Sequence, residues 1–248
     1  MIIQMKLLQL NMWGGRLENP ILNLVKIVNP DILCLQEAID IKGGRTAMCV
    51  CVEEVKAAIG ADYVFMSPVF SFNLMKRRAD FGNCIISRYP IKNTETIFTG
   101  KQYVEDFDFL NQNADMRNLQ HAVIELPDNT NLHILNHHGH HIHQHKNGDA
   151  ETLRQCRMIA NEILKLRGKI ILSGDFNLAP HSESLEQINI LLANLSIKAR
   201  LKTTRTKLTH KTEVCDYIFV NDAIKVKSFN SLGEIVSDHK ALVLDFEL

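Results

Sequence analysis

The chain has 248 residues and a mass of 28.2 kDa, with 46% hydrophobic and 23% charged residues and a mean hydropathy of −0.07. That length suits one domain over residues 1–248 with a substantial core, and the composition excludes disordered, collagenous and membrane-spanning classes. Its 28 Lys and Arg balance 28 Asp and Glu, so no global positive field draws it to polyanions, and any affinity for nucleic acid has to come from local patches.

The opening MIIQMKLLQLNMWGG alternates polar and apolar residues and lacks a basic segment followed by an unbroken apolar stretch, so it reads as mature protein in a cytoplasmic setting with no membrane insertion. Six cysteines, at positions 34, 49, 51, 84, 156 and 215, have no CxxC spacing and suit reduced core residues. Residues 3–10 alternate like a strand. A helix follows over 19–28, closed by Asn29-Pro30, and 31–36 (DILCLQ) is a short buried strand. A second helix spans 51–59 and stops at Gly60, and short strands are expected at 63–66, 82–87 and 92–98. Residues 118–126, a turn at Pro127-Asp128-Asn129 and residues 131–138 form a hairpin. Asp149 caps the strongest helix, in which Leu153, Cys156, Ala160, Ile163, Leu164 and Arg167 recur at helical spacing until Gly168. Strands at 169–173, 214–220, 224–229 and 241–246 and a helix over 184–193 complete the pattern. This α/β alternation, roughly ten strands with four or so helices, predicts two packed sheets with helices outside.

The polar groups at strand ends carry the functional signal, because sites are assembled on the loops leaving strands. They are Asn11, Gln36-Glu37, Asn136-His137-His138, Asp175 and Asn177 of IILSGDFN, Cys215-Asp216-Tyr217 and Ser237-Asp238-His239. Singly, each has a structural explanation: an Asp or Asn after a strand commonly caps a turn or helix, and Asp238-His239 fits a surface turn. Asp216, inside a strand-like segment, needs a partner such as a histidine, structural or catalytic, to offset its desolvation. Together they match metal-assisted phosphoester hydrolysis. That chemistry requires hard oxygen ligands for Mg2+, a carboxylate to orient or deprotonate water, and imidazole and amide donors for charge developing on phosphate. Glu37 could supply the main metal oxygen.

The motifs LLQLNMW, DILCLQE, GNCIISRYPI, the hairpin into LNHH, SGDFNLAP, CDYIFV and SDHKALVL occur in that order over nearly the whole chain. In them the sequence resembles the endonuclease/exonuclease/phosphatase superfamily, whose members include DNase I, exonuclease III-like abasic-site nucleases, tyrosyl-DNA phosphodiesterases, deadenylases, inositol polyphosphate 5-phosphatases and neutral sphingomyelinases. The resemblance implies a DNase I-like four-layer α/β sandwich, two packed mixed β-sheets flanked by helices, with the site at one end of the sheets. It implies that Glu37 holds the metal, that Asn11 assists at the metal or phosphate, and that Asp238 serves the metal or its water shell. Asp175 would orient or deprotonate the water and Asn177 would position the phosphate. His239 would stabilise the pentacoordinate phosphate, held in its tautomer by Asp216. His138 would be the second histidine, because Asn136-His137-His138 fits the family's Asn-x-His pattern; His137 and His140 are its neighbours. The implied cofactor is one Mg2+, replaceable by Mn2+, with room for a second ion.

The implied substrate is a phosphodiester, DNA, RNA or a nucleotide-like ester, hydrolysed by in-line attack of an Asp175-positioned water. The alternatives are a phosphomonoesterase on a small metabolite or lipid headgroup, and a catalytically inactive phosphate-binding or partner-binding module; no protein partner is expected. The chain has no WxGDxNxR box of inositol 5-phosphatases and no Asn-Gly-Leu-Arg run of abasic-site nucleases, while GDFNLAPHS is similar to deadenylases and many bacterial members. Arg117 and Arg154 match recurrent family arginines, against the plain reading of a strand-edge and a solvated helix arginine. Residues 197–212 carry Lys198, Arg200, Lys202, Arg205, Lys207 and Lys211 without an acid, and with Lys76-Arg77-Arg78 they form candidate phosphate-binding patches, in which Arg205 and Lys207 join Arg117 and Arg154 as the candidate substrate-binding residues. Of 11 histidines, seven fall between His133 and His145; His141, His143 and His145 could share one side of an extended segment and bind zinc, although recruitment to phosphate near His138 fits better.

Overall fold

Two six-stranded sheets face each other in the computed structural model, which describes residues 3–42, 44, 46–113 and 115–248. The first two residues of the expected mature amino terminus lie outside the described residues. The elements are β1 (Gln4–Asn11), α1 (Glu18–Val28), β2 (Ile32–Ile41), α2 (Val52–Ile59), β3 (Tyr63–Leu74), β4 (Arg77–Ser87), β5 (Ile91–Phe98), β6 (Asn118–Glu125), β7 (Asn131–His138), α3 (Ala150–Lys165), β8 (Lys169–Asp175), α4 (Glu183–Asn189), β9 (Ala193–Asn194), α5 (Leu195–Lys198), β10 (Asp216–Val220), β11 (Lys225–Ser231) and β12 (Leu242–Glu247). The first sheet runs β11-β12-β1-β2-β4-β3 and the second β5-β6-β7-β8-β10-β9. Each is mixed, with one parallel pair at its centre, β1 with β2 and β7 with β8.

Alternation along these strands builds three apolar layers. One face of each sheet meets the other, so that Leu7, Cys34 and Ile85 pack with Ile134, Ile171 and Ile218. The outer face of the first sheet, Leu8, Leu10, Leu33 and Leu35, is covered by Ile21, Leu24 and Val25 of α1 and Val55 and Ile59 of α2. On the second sheet Leu135, Leu172 and Phe219 are covered by Ile159 and Ile163 of α3 and Leu185 and Ile188 of α4. The result is the expected four-layer α/β sandwich. All six cysteines are buried and free, and among the described residues no helix is long and apolar enough to cross a membrane.

Three local expectations are corrected. The strands expected at 63–66 and 82–87 are one long hairpin, β3 and β4, closed by Met75 (φ 51°) and Lys76 (φ 64°). A two-residue turn with both φ positive normally uses Asn or Gly, so the sequence carries no hairpin signal there. Pro68 lies on β3, an edge strand where a missing N–H is tolerated. The long helix α3 stops at Lys165, and Leu164 is 57% exposed, so neither it nor Arg167 belongs to the core-facing stripe. The helix expected over 184–193 ends at Asn189 and gives way to β9 and α5.

Candidate active site

The two parallel pairs end at the same end of the sandwich, which brings the strand-end residues together. Asn11 is in register with Gln36, and Asp175 is in register with His138 on one side and Asp216 on the other. Strand alternation sends His137 and His138 to opposite faces. His137 turns to the helix-covered face of its sheet, onto Phe176, with Nδ1 3.0 Å from the Asn118 carbonyl, and His138 turns to the site. Glu37 does not follow its strand, as the apolar run suggests, but sits within it. The register with β4 slips between Leu35 and Ala38, and Glu37 takes φ 52° in this bulge. A bulge re-aims a side chain, which here turns the carboxylate out of the sheet and into the cleft.

These residues line a cleft of about 800 Å3 that includes Glu37, His138, Asp175, Asn177, Asp238 and His239. Asp175, 1% exposed, is the hub. One oxygen accepts from the Asn177 backbone N–H at 2.9 Å and the other from Asn11 Nδ2 at 3.1 Å. His239 Nε2 is 3.5 Å and His138 Nε2 3.9 Å from that second oxygen. Burial alone raises the Asp175 carboxyl, but the charges of His239, Arg205, His138 and Lys146 outweigh it and hold the group well below the usual carboxylate range. His239 Nδ1 donates to Asp216 at 2.9 Å, and Asp216 is fully buried. Burial lowers the His239 imidazole, yet the Asp216 and Asp175 carboxylates raise it to about 9. His138 has no such partner, and burial followed by the Arg117 charge puts it well below its ordinary range.

The cleft suits a hard divalent cation. Burial raises the Glu37 carboxyl, and Asp175 and Asp238 raise it further, against His239 and the Asn11 amide. A carboxylate turned into a cleft and raised by desolvation and like charge is one whose ionised form a bound cation would restore. Asn11 presents its NH2 to Glu37 at 3.2 Å while its Oδ1 accepts from the Trp13 backbone, so as placed it braces two carboxylates and offers no metal oxygen. Among the described residues, Asp175, Asp216 and His239 are the group whose ligand atoms lie within 4.8 Å of one another. The His239–Asp216 hydrogen bond already accounts for that closeness.

The cations divide sharply. Arg205 is buried, 5% exposed, with Nη1 in contact with His239 Nε2 and 3.7 Å from Asp238. Lys211 also lines the cleft, its Nζ 3.1 Å from His141 Nε2. Arg117 lines it too, donating from Nε to the Gly139 carbonyl at 2.7 Å. Arg154 is not brought there; it binds Glu151 at 2.8 Å and the Thr99 carbonyl. Lys207, Lys198, Arg200 and Lys202 are exposed and do not line the cleft. Arg77 and Arg78 are inside β4 at the hairpin tip, bound to the Lys42 carbonyl and to Glu105. His141 and His143 meet edge to face at 4.5 Å on the cleft rim, and they form no triad with His145 among the described residues.

Sequence reasoning missed two sets of residues. Lys146, 5% exposed, donates to Asn177 Oδ1 at 2.9 Å, and burial pulls its ammonium down to about 8. A chain of buried amides runs between the sheets: Gln9 Nε2 donates to Asp216 at 3.2 Å and to Gln36 at 2.7 Å, Gln36 to Asn136 at 2.6 Å, and Asn136 to Gln120 at 2.9 Å. The clue to it was polar residues repeating at inward strand positions, which period-two reading treats as noise. Gly174, which precedes Asp175, has φ +148°, and a Cβ there would sit 1.9 Å from the His137 carbonyl oxygen. Gly174→Ala is therefore expected to push β8 off β7, costing about 1–3 kcal/mol in urea unfolding and lowering activity through displaced Asp175; unchanged unfolding would contradict this.

The Endonuclease/Exonuclease/phosphatase family matches residues 8–239. No curated protein matches the chain in sequence. Solved structures do. An endonuclease/exonuclease/phosphatase from Beutenbergia cavernae has a TM-score of 0.73 at 16% identity, covering 99% of this chain and 72% of its own. A mannosyl-6-phosphatase from Bacteroides thetaiotaomicron has 0.69 at 18% identity, covering 98% and 99%. A humanized D. rerio TDP2 has 0.68 at 15% identity, covering 98% of each chain. With that fold shared end to end and the family match spanning both sheets, the chain belongs to the endonuclease/exonuclease/phosphatase family.

Proposed function

We propose that the protein is a divalent-metal-dependent phosphodiesterase that hydrolyses a nucleic acid or nucleotide-like diester by in-line attack of water. The observation that carries this reading is the convergence of Glu37, Asp175, His138 and the Asp216–His239 pair on one cleft. Glu37 and Asp238 are the residues to hold the ion, Mg2+ or Mn2+. When bound, the ion supplies positive charge to the phosphoryl oxygens. Asp175 orients the attacking water, its own position held by Asn11 and the Asn177 N–H. His239, favoured in its protonated form by the Asp216 and Asp175 carboxylates, would donate to the charge that develops on phosphate, with Arg205 as a second donor beside it. His138, uncharged, contacts the phosphate or the leaving oxygen. Asn177 positions the phosphate from a side chain anchored by Lys146 and by Gly139 at 3.3 Å. A diester is favoured over a monoester because the cleft continues past Glu37 and His138 into a second cavity, leaving room for a substituent on either side of phosphorus.

The test is turnover of bis-p-nitrophenyl phosphate against p-nitrophenyl phosphate with Mg2+, Mn2+ or EDTA, together with DNA and RNA oligonucleotides at two salt concentrations. Diester hydrolysis that EDTA abolishes is the expected result. Preference for the monoester would favour a phosphatase, and no turnover of any substrate with metal present would leave only a binding module. Arg205→Ala is expected to lower diester kcat/KM by about 10^2, the scale of one preorganised donor. Arg154→Ala, whose partners lie outside the cleft, should stay within about twofold, since exposed ion pairs contribute little.

A further inference from the structure

Behind Glu37 and His138 the cleft opens into a second cavity of about 370 Å3, and Trp13, Arg16, Glu37, Arg117 and His138 line both. Its walls are of a different chemistry. Phe70, Phe72, Phe81 and Phe109 face it, with Met116. Phe70 stacks on Phe81 with centroids 4.8 Å apart and 12° between planes, and on Phe107 at 4.5 Å and 25°. Phe109 stands edge-on to Phe70, Phe72 and Phe107 at 5.7, 5.4 and 5.0 Å. These are five of the 11 phenylalanines; four line the opening and Phe107 is buried behind them. Two amides on the same wall are already spent, Asn83 Nδ2 donating to Asn118 at 2.8 Å and Asn118 Nδ2 to Ser67 Oγ at 2.9 Å. Phe109 nevertheless remains 63% exposed. An exposed ring held edge-on over a ring-lined hollow is apolar surface that a ligand would cover.

The hollow exists because two neighbouring strands are irregular at this point. The register of β3 on β4 slips between Pro68 and Phe70, beside the Glu37 bulge in β2. Gly82 on β4 lies at that slip, and a Cβ there would sit 2.4 Å from the Ser67 carbonyl oxygen. At the mouth the Arg16 guanidinium lies 4.6 Å over the Trp13 ring, forming a flat platform between the polar and the aromatic halves. A phosphate seated at Glu37 and His138 would direct one ester substituent past that platform.

We propose that this cavity is the specificity pocket for a planar aromatic substituent, aryl or nucleobase, of the phosphoester bound at Glu37 and His138. The proposal rests on the phosphoester-hydrolase reading above. Edge and face contacts from four rings select a flat π-system over a flexible alkyl chain of equal area, and the polar side chains Arg16, Glu37, Arg117 and His138 belong to the wall shared with the phosphate cleft, not to the ring-lined part.

Trp13, the protein's only tryptophan, sits on the shared wall and reports occupancy without turnover. The Mg2+-loaded protein is titrated with methylphosphonate, phenylphosphonate, hexylphosphonate and 9-(2-phosphonoethyl)adenine, followed by tryptophan fluorescence and by calorimetry. Phenylphosphonate or the adenine compound is expected to bind about tenfold or more tighter than methylphosphonate, as burial of a ring requires, and hexylphosphonate more weakly than the better of the two. Whichever of phenyl and adenine binds tighter identifies the source of the ring. Phe109→Ala, at an exposed position, should collapse the ring-to-methyl ratio toward one, and Phe72→Leu, which keeps an apolar side chain, should reduce it as well. Methylphosphonate binding as tightly as the ring compounds overturns the pocket and leaves the phosphate site standing. Hexylphosphonate binding best overturns the aromatic preference, and binding of none of the four overturns both the pocket and the reading on which it rests.

Discussion

Asp175→Asn is expected to lower kcat/KM for bis-p-nitrophenyl phosphate by about 10^3 to 10^4, mostly in kcat, the range over which a positioned acid–base group acts. The carboxylate is 1% exposed and bound by Asn11, the Asn177 N–H and the His239 and His138 rings, so the amide keeps shape but loses charge. Burial raises the Asp175 carboxyl and His239, Arg205, His138 and Lys146 more than reverse it, holding it well below the usual carboxylate range. A carboxylate held that low is a weak base, which fits the proposed role of orienting the water. The stability consequence has a definite sign. A folded value below the ordinary 3.8 stabilises the protein above that pH and is lost as pH falls below it. Metal-free wild type should therefore exceed Asp175→Asn in Tm at pH 7, with the gap closing in acid. Retention of activity within tenfold would remove Asp175 from the mechanism.

Much of this arrangement was legible in the chain because strand ends carry their chemistry in local motifs. Glu37, Asp175, Asp216 and His239 follow or begin apolar runs, and the sheet registers then bring them within a few ångströms of one another. His138 is separated from His137 by the family's Asn-x-His pattern, and strand alternation in the structure puts the two on opposite faces. Arg205 and Lys207 stand together as substrate-binding candidates in a run of six cations, and only the bridge between Arg205 and His239 separates the buried one from the exposed one. Lys146 was hidden for a related reason, since its burial depends on packing against Asn177 from another loop. The amide chain from Gln9 to Gln120 joins partners 27, 100 and 16 positions apart on four different strands, and no local pattern encodes such pairs. The β3–β4 hairpin escaped because Met75 and Lys76 adopt left-handed backbone without the residues that favour it. The aromatic cavity depends on that same hairpin and was equally invisible.

The Asp216–His239 pair should show itself in the pH dependence of stability. With the imidazole raised from 6.5 to about 9, the folded state binds a proton that the unfolded chain releases earlier. The stabilisation is complete below pH 6.5 and lost as pH rises through about 9. Thermal unfolding in EDTA across that window should therefore fall in wild type. In Asp216→Asn the first of the two raising carboxylates is gone, leaving Asp175 opposed by burial and Arg205. The loss should begin at lower pH and be smaller. At neutral pH the variant should be destabilised by about 1–3 kcal/mol, because the ring sheds its proton and the buried charge-assisted hydrogen bond is lost. Diester kcat should fall by about 10^2 to 10^3 as the ring loses its fixed tautomer and its charge together. Gln9, which donates to the same carboxylate at 3.2 Å, separates these causes. Gln9→Leu keeps the ion pair but removes a brace, so it should lower stability by about 1 kcal/mol without moving the alkaline transition. Should Asp216→Asn and wild type lose stability over the same pH interval, His239 draws its proton from some other group, and its role as the imidazolium donor falls with it.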